Sequence, residues 1–138
     1  MTYEENFLKL EHYRRLVEKR RMLFEQRQEV ENQLEGLSSP SVDGMPKAKD
    51  KPNYALEIGI ERKNDLSERI NRLDGELKPL RKHIYAALDE MTDNLSAYIL
   101  EAHFVNDASL NDIADASGYS FSWVKKENID GIKNINLD

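Results

Sequence analysis

The stretch "SLNDIADASGYSFSWVKK", Ser109 to Lys126, decides how this chain is read. Ser109, with Asp112 three residues on, suits a helix start, because a capping hydroxyl accepts a hydrogen bond from a free N–H of the first turn. Gly118 suits the stop, since it tolerates the positive φ that ends many helices. Ser120 can cap a second helix directly after the turn. The run therefore predicts two short helices joined by a tight glycine turn, the outline of a helix-turn-helix. Ala114, small and four positions before Gly118, allows a close approach of neighbouring helices, and Ile113 and Val124 are the expected apolar locks. Leu110 and Tyr119 are expected to complete this small core against Ile99 and Phe104.

The second helix of such a motif presents its early positions to a groove of DNA. Those positions here are Ser120, Phe121, Ser122, Lys125 and Lys126, the candidates for contact with base edges. Trp123 is expected to pack against the supporting helix rather than insert into a partner. That supporting helix reads from Thr92 or Asp93 through Val105, with Leu95, Tyr98, Ile99, Ala102 and Phe104 as its apolar face. Residues 92–138 thus form the expected helix-turn-helix domain.

Upstream, the pattern changes. Thr2 followed by Glu5 fits a capping box, and apolar residues then recur at Phe7, Leu10, Tyr13, Leu16/Val17, Leu23/Phe24, Val30, Leu34 and Leu37. These three- and four-residue steps predict one long helix over 3–36. Residues 37–53, "LSSPSVDGMPKAKDKPN", hold three of the four prolines and read as a loop made locally basic by Lys47, Lys49 and Lys51. A second long helix is expected over 54–91, where Leu66, Ile70, Leu73, Leu77, Leu80, Ile84, Leu88 and Met91 follow a near-heptad spacing. Pro79 should kink it near 75–79 without ending it, because the apolar stripe stays in register on both sides. Residues 1–91 are therefore read as a long antiparallel, coiled-coil-like hairpin serving oligomerisation. Tyr54, Leu56, Ile58 and Ile60 are left over as exposed apolar surface, which favours a homo-oligomer. The whole chain is expected to be all-α.

Composition narrows the function classes. Charged residues make up 33% of the 138 residues and strand signals are absent, as suits long helices. There is no cysteine, which excludes disulfides and thiolate-metal sites and makes a reducing cytoplasm the expected compartment. No apolar run approaches the ~20 residues that span a bilayer, and "MTYEENFLKL" has no secretory pattern. His12, His83 and His103 lie far apart, without a metal-ligand spacing, a phosphate loop or a nucleophile motif, so no catalytic residue, metal or other cofactor and no small-molecule substrate is assigned. The formal net charge is −6, and residues 91–138 carry three lysines against eight acids. Phosphate neutralisation supplies most non-specific DNA affinity, so a charge-poor reading helix must draw on oligomerisation or on contacts elsewhere. Arg14, Arg15, Arg20 and Arg21 alternate with Glu11, Glu18 and Glu25, a pattern that favours a salt-bridged helix face over a nucleic-acid surface.

"MTDNLSAYILEAHFVNDASLNDIADASGYSFSWVKK" resembles the region-4 type helix-turn-helix of sigma factors. The layout as a whole, including the loop from Ser39 to Pro46 and the run Leu110 to Ser120, is similar to small phage-encoded transcriptional regulators of the ArpU/RinA type. The resemblance implies a phage or prophage protein in a bacterial host cell that controls late or packaging-related genes by binding promoter DNA. The chain departs from that pattern after Val124, where Glu127, Asp130 and Gly131 stand in place of a basic helical run. The alternative expectation is a non-enzymatic interaction module that contacts RNA polymerase or a phage packaging component and has little DNA affinity of its own.

Overall fold

Thr2 opens the first helix: its Oγ1 accepts from the Glu5 backbone N–H at 3.2 Å, as the capping reading requires. The computed structural model describes residues 2–38 and 54–138, and these are helical with short connections. α1 runs Tyr3–Ser38, α2 Tyr54–Asp89, α3 Asn94–Leu100, α4 Leu110–Ser117 and α5 Phe121–Asn134, with a π-helical turn Glu101–Val105 after α3. α1 passes the expected end at residue 36 by a further half-turn, and residues 39–53 of the expected loop lie outside the described residues. α2 continues through Pro79 and ends at Asp89 rather than residue 91. The supporting helix is capped by Asp93, which accepts from the N–H groups of Leu95 and Ser96, and so not by Thr92.

α1 and α2 pack as an antiparallel hairpin. The chain divides into two compact units: Met1–Lys19 with Asp74–Asp138, and Arg20–Leu73. In the second unit, Leu34 lies over Gly59, Lys63 pairs with Glu31 at 3.7 Å, and Arg27 reaches the Ser67 hydroxyl at 3.4 Å. One residue number falls as the other rises, the mark of antiparallel helices. Leu23, Leu66, Ile70 and Leu73 are buried there, as the heptad spacing predicts. On the α1 side the stripe is narrower than expected: Phe24 and Leu37 are exposed.

In the first unit, the starting turns of α1 and the second half of α2 share one core with the short helices. Leu10, Tyr13, Leu77, Ile84 and Leu88 meet Leu100, Phe104, Ile132, Ile135 and Leu137. Tyr13 is almost wholly buried, and its hydroxyl accepts from Arg81 Nε at 2.7 Å. This bond raises the Arg81 pKa above its ordinary value, against a smaller opposing effect of burial. Phe7, predicted to face the core, is exposed at the surface and stacks on Tyr3. Its neighbour Asn6 is buried instead, because its amide has a specific task there. α5 ends with Ile135 in an extended conformation, leaving terminal carbonyls unpaired within the helix. Asn6 Nδ2 donates to two of them, Ile132 O at 2.8 Å and Ile135 O at 2.9 Å. A residue from the first turns of α1 therefore caps the last helix.

Candidate nucleic-acid interface

Local chemistry builds the α4–turn–α5 segment as its sequence predicts. Ser109 Oγ accepts from Asp112 N at 3.0 Å and starts α4. Gly118 ends it at φ 79°, in the left-handed region where a Cβ is strained, and its N–H bonds to Ala114 O. Ser120 Oγ accepts from Trp123 N at 3.2 Å and starts α5. Ile113, Ala114 and Val124 are buried together with Ile99, and Leu110 packs partly buried against them. Two expected members of this core lie elsewhere. Phe104 is fully buried, but in the hairpin core, and it lies in the π-helical turn. Tyr119 is 47% exposed and stacks on Trp123, with ring centroids 4.3 Å apart and planes 27° apart. Trp123 itself packs half-buried against the Ile99 cluster, as expected.

The five candidate base-reading residues, Ser120, Phe121, Ser122, Lys125 and Lys126, are all exposed. Phe121 and Lys125 stand one helical turn apart, as do Ser122 and Lys126. Val124 is completely buried behind them. Asp112 and Asp115 on α4 are also exposed, so the helix pair carries carboxylates as well as ammonium groups.

The residues that break the expected basic run have structural roles. Gly131 is buried, and a Cβ there would lie 3.2 Å from two Leu100 side-chain carbons and 3.3 Å from Ser96 Cβ. The missing side chain lets α5 lie close against α3. Glu127 accepts a hydrogen bond from the Ser96 hydroxyl at 3.0 Å, and the same hydroxyl lies 3.0 Å from Asp93. Hydrogen bonds from the backbone N–H of Ser96, which contributes most, from the Ser96 hydroxyl and from the Leu95 N–H hold Asp93 below the usual carboxylate range, against a smaller opposing effect of burial. The later turns of α5 thus bury Asn128, Gly131 and Ile132, whereas its first two turns carry the exposed Phe121, Ser122, Lys125 and Lys126.

Arg14 and Arg15 are engaged with carboxylates. Arg14 lies 3.6 Å from Glu18 and 3.8 Å from Glu11, and Arg15 lies 3.8 Å from Glu11. Arg14 also meets Asp107 at 3.2 Å. Asp107 takes a left-handed conformation, φ 57°, in the turn that leads from the π-helical segment toward α4. Beside it, His103 Nδ1 donates to Ala108 O at 2.7 Å and the ring lies edge-on to Phe104. Burial pushes the His103 pKa down, and Arg14 adds to that, while the Ala108 carbonyl, Glu11 and Asp107 oppose it. The folded pKa lies below the unfolded value, so this stabilisation is present above about pH 6.5 and is lost as pH falls through the folded pKa. On acidification from about pH 7.5 to about 5.5, wild type should lose stability faster than His103→Gln, as urea melts at each pH would read. Parallel pH profiles for the two proteins would contradict the assignment.

No helix of the described residues is long and apolar enough to cross a membrane. Among known proteins, no family model, no curated protein and no solved structure matches the chain.

Proposed function

We propose that this chain is a phage or prophage transcriptional regulator that binds promoter DNA through the first two turns of α5, acting as a homo-oligomer. The observation that carries the reading is the outward set Ser120, Phe121, Ser122, Lys125 and Lys126, backed by the buried Val124 on a glycine-turned helix pair. The resemblance of Leu110 to Ser120 to the phage regulators supports it. Tyr54 and Ile58, both about two-thirds exposed, supply apolar surface suited to pairing with a second copy. Pairing doubles the two lysines that each copy brings to phosphate.

A gel shift with duplex promoter fragments tests this. Two phosphate contacts predict that log K falls with log salt at a slope of about −2 per module. Lys125→Ala with Lys126→Ala should weaken binding to every fragment and flatten that slope. Failure to shift any fragment at low salt would favour the interaction-module reading, in which RNA polymerase or a packaging component docks on the helix pair. The exposed carboxylates Asp112 and Asp115 on α4 are the feature that favours that second reading.

A further inference from the structure

We propose that the turn between α4 and α5 is a stacking platform for unpaired nucleobases, so that the preferred ligand is DNA with unpaired bases rather than fully paired duplex. The inference rests on the DNA-binding reading above and names the form of DNA that this face recognises.

Three aromatic rings fall within five consecutive residues. Trp123 packs on the Ile99–Ile113–Ala114–Val124 cluster with its own ring half-buried. Tyr119 lies over Trp123 in a stacked arrangement and remains 47% exposed. The order is therefore core, indole, phenol and then solvent, and a flat ring laid on Tyr119 would continue the stack. Phe121, 44% exposed, adds another open ring in the first turn of α5. Burying rings of this size would gain free energy, yet they stand outside the core that takes Val124 and Ile113.

The groups around the rings define the ligand. The exposed side chains of Ser120, Ser122, Lys125 and Lys126 offer hydroxyls and ammonium groups, and Ile113, Ala114 and Val124 are turned inward. Flat π-surface beside cations suits bases joined by phosphates, whereas an apolar protein groove would be met by exposed Leu, Ile or Met. Stacking also answers the charge deficit. Two lysines give little phosphate neutralisation, while base–aromatic stacking is sequence-tolerant and independent of charge count. In a paired duplex the base faces are already stacked on one another and closed to the platform. In a bubble or a single strand they are open.

Trp123 is the chain's single tryptophan and lies directly beneath Tyr119, so its fluorescence reports on the platform. The full-length protein is titrated with a duplex, the same duplex carrying a central unpaired bubble, and its single strand. The expected result is quenching of Trp123 by the bubble and the single strand, with binding at least about tenfold tighter than to paired duplex. Tyr119→Ala and Phe121→Ala should each abolish most of that preference with unchanged circular dichroism, and Phe121→Tyr should keep it. Lys125→Ala with Lys126→Ala should weaken all three ligands alike. Duplex bound as tightly as the bubble, or a preference that survives both ring removals, overturns the platform and leaves the duplex-reading regulator standing. No binding of any of the three at low salt overturns both.

Discussion

The Leu137→Ala protein is expected to lose about 2–4 kcal/mol of stability, although the substitution lies one residue before the end of the sequence. Leu137 is only 1% exposed. It belongs to the core that includes Tyr13 and Ile84, and with them and Leu80 it lines a small hollow. The backbone around it is fixed as well, since Leu137 O lies 3.2 Å from Lys9 Nζ and 2.9 Å from His83 Nε2. Truncation to alanine leaves a cavity that this bonded segment is poorly placed to collapse into. In urea, the midpoint should fall with little change in slope. The Trp123 fluorescence transition reads this directly, because Trp123 and Leu137 belong to the same compact unit. An unchanged midpoint would mean that the tail is not part of the core.

Asn6→Ala should cost a similar amount, about 2–4 kcal/mol, by a different route. Asn6 is fully buried and donates from one nitrogen to Ile132 O and Ile135 O. Without it, two buried carbonyls at the end of α5 lose their donor, and each unsatisfied group costs about 1–3 kcal/mol. Asn6→Asp should be no gentler, because a carboxylate cannot donate to a carbonyl. Asn6 and Leu137 both hold the segment that follows α5. The double variant should therefore lose less than the two single losses added together, a coupling that a mutant cycle in urea measures. Strict additivity would show that the cap and the tail act independently.

Both residues show where sequence reasoning stops. Periodicity placed Phe7 in the core, but Phe7 is exposed and the adjacent Asn6 is buried. Hydropathy ranks the two residues correctly; what it lacks is the presence of carbonyls 126 and 129 positions away that need a donor, which the Asn6 amide supplies. Ile135 and Leu137, buried in the hairpin core, follow the end of α5 in a stretch with no helical period to mark them. Gly131 looks like a flaw in a helix when judged by propensity alone. Its meaning comes from Leu100 and Ser96, which occupy the space a side chain would need. Tyr119 and Phe104 go astray because neighbours distant from any local pattern place them: Phe104 joins the core of Leu10, Tyr13 and Ile132, and Tyr119 stacks on Trp123.

The helices themselves, the caps at Thr2, Asp93, Ser109 and Ser120, the left-handed glycine at 118 and the buried locks Ile113, Ala114 and Val124 were all legible in the sequence. Each depends on interactions within a few residues, or on a repeat that the chain itself displays. Such signals suffice for an all-α chain with a long hairpin and a glycine-turned helix pair whose second helix opens on Ser120, Phe121, Ser122, Lys125 and Lys126. Contacts across the folded chain are needed to see that the first turns of α1 cap α5, that Ile135 and Leu137 join the core, and that Tyr119 lies outside it on Trp123. Those outcomes depend on which unpaired groups and apolar hollows meet across long sequence separations. Caps and periods are local, and they carry no record of such meetings.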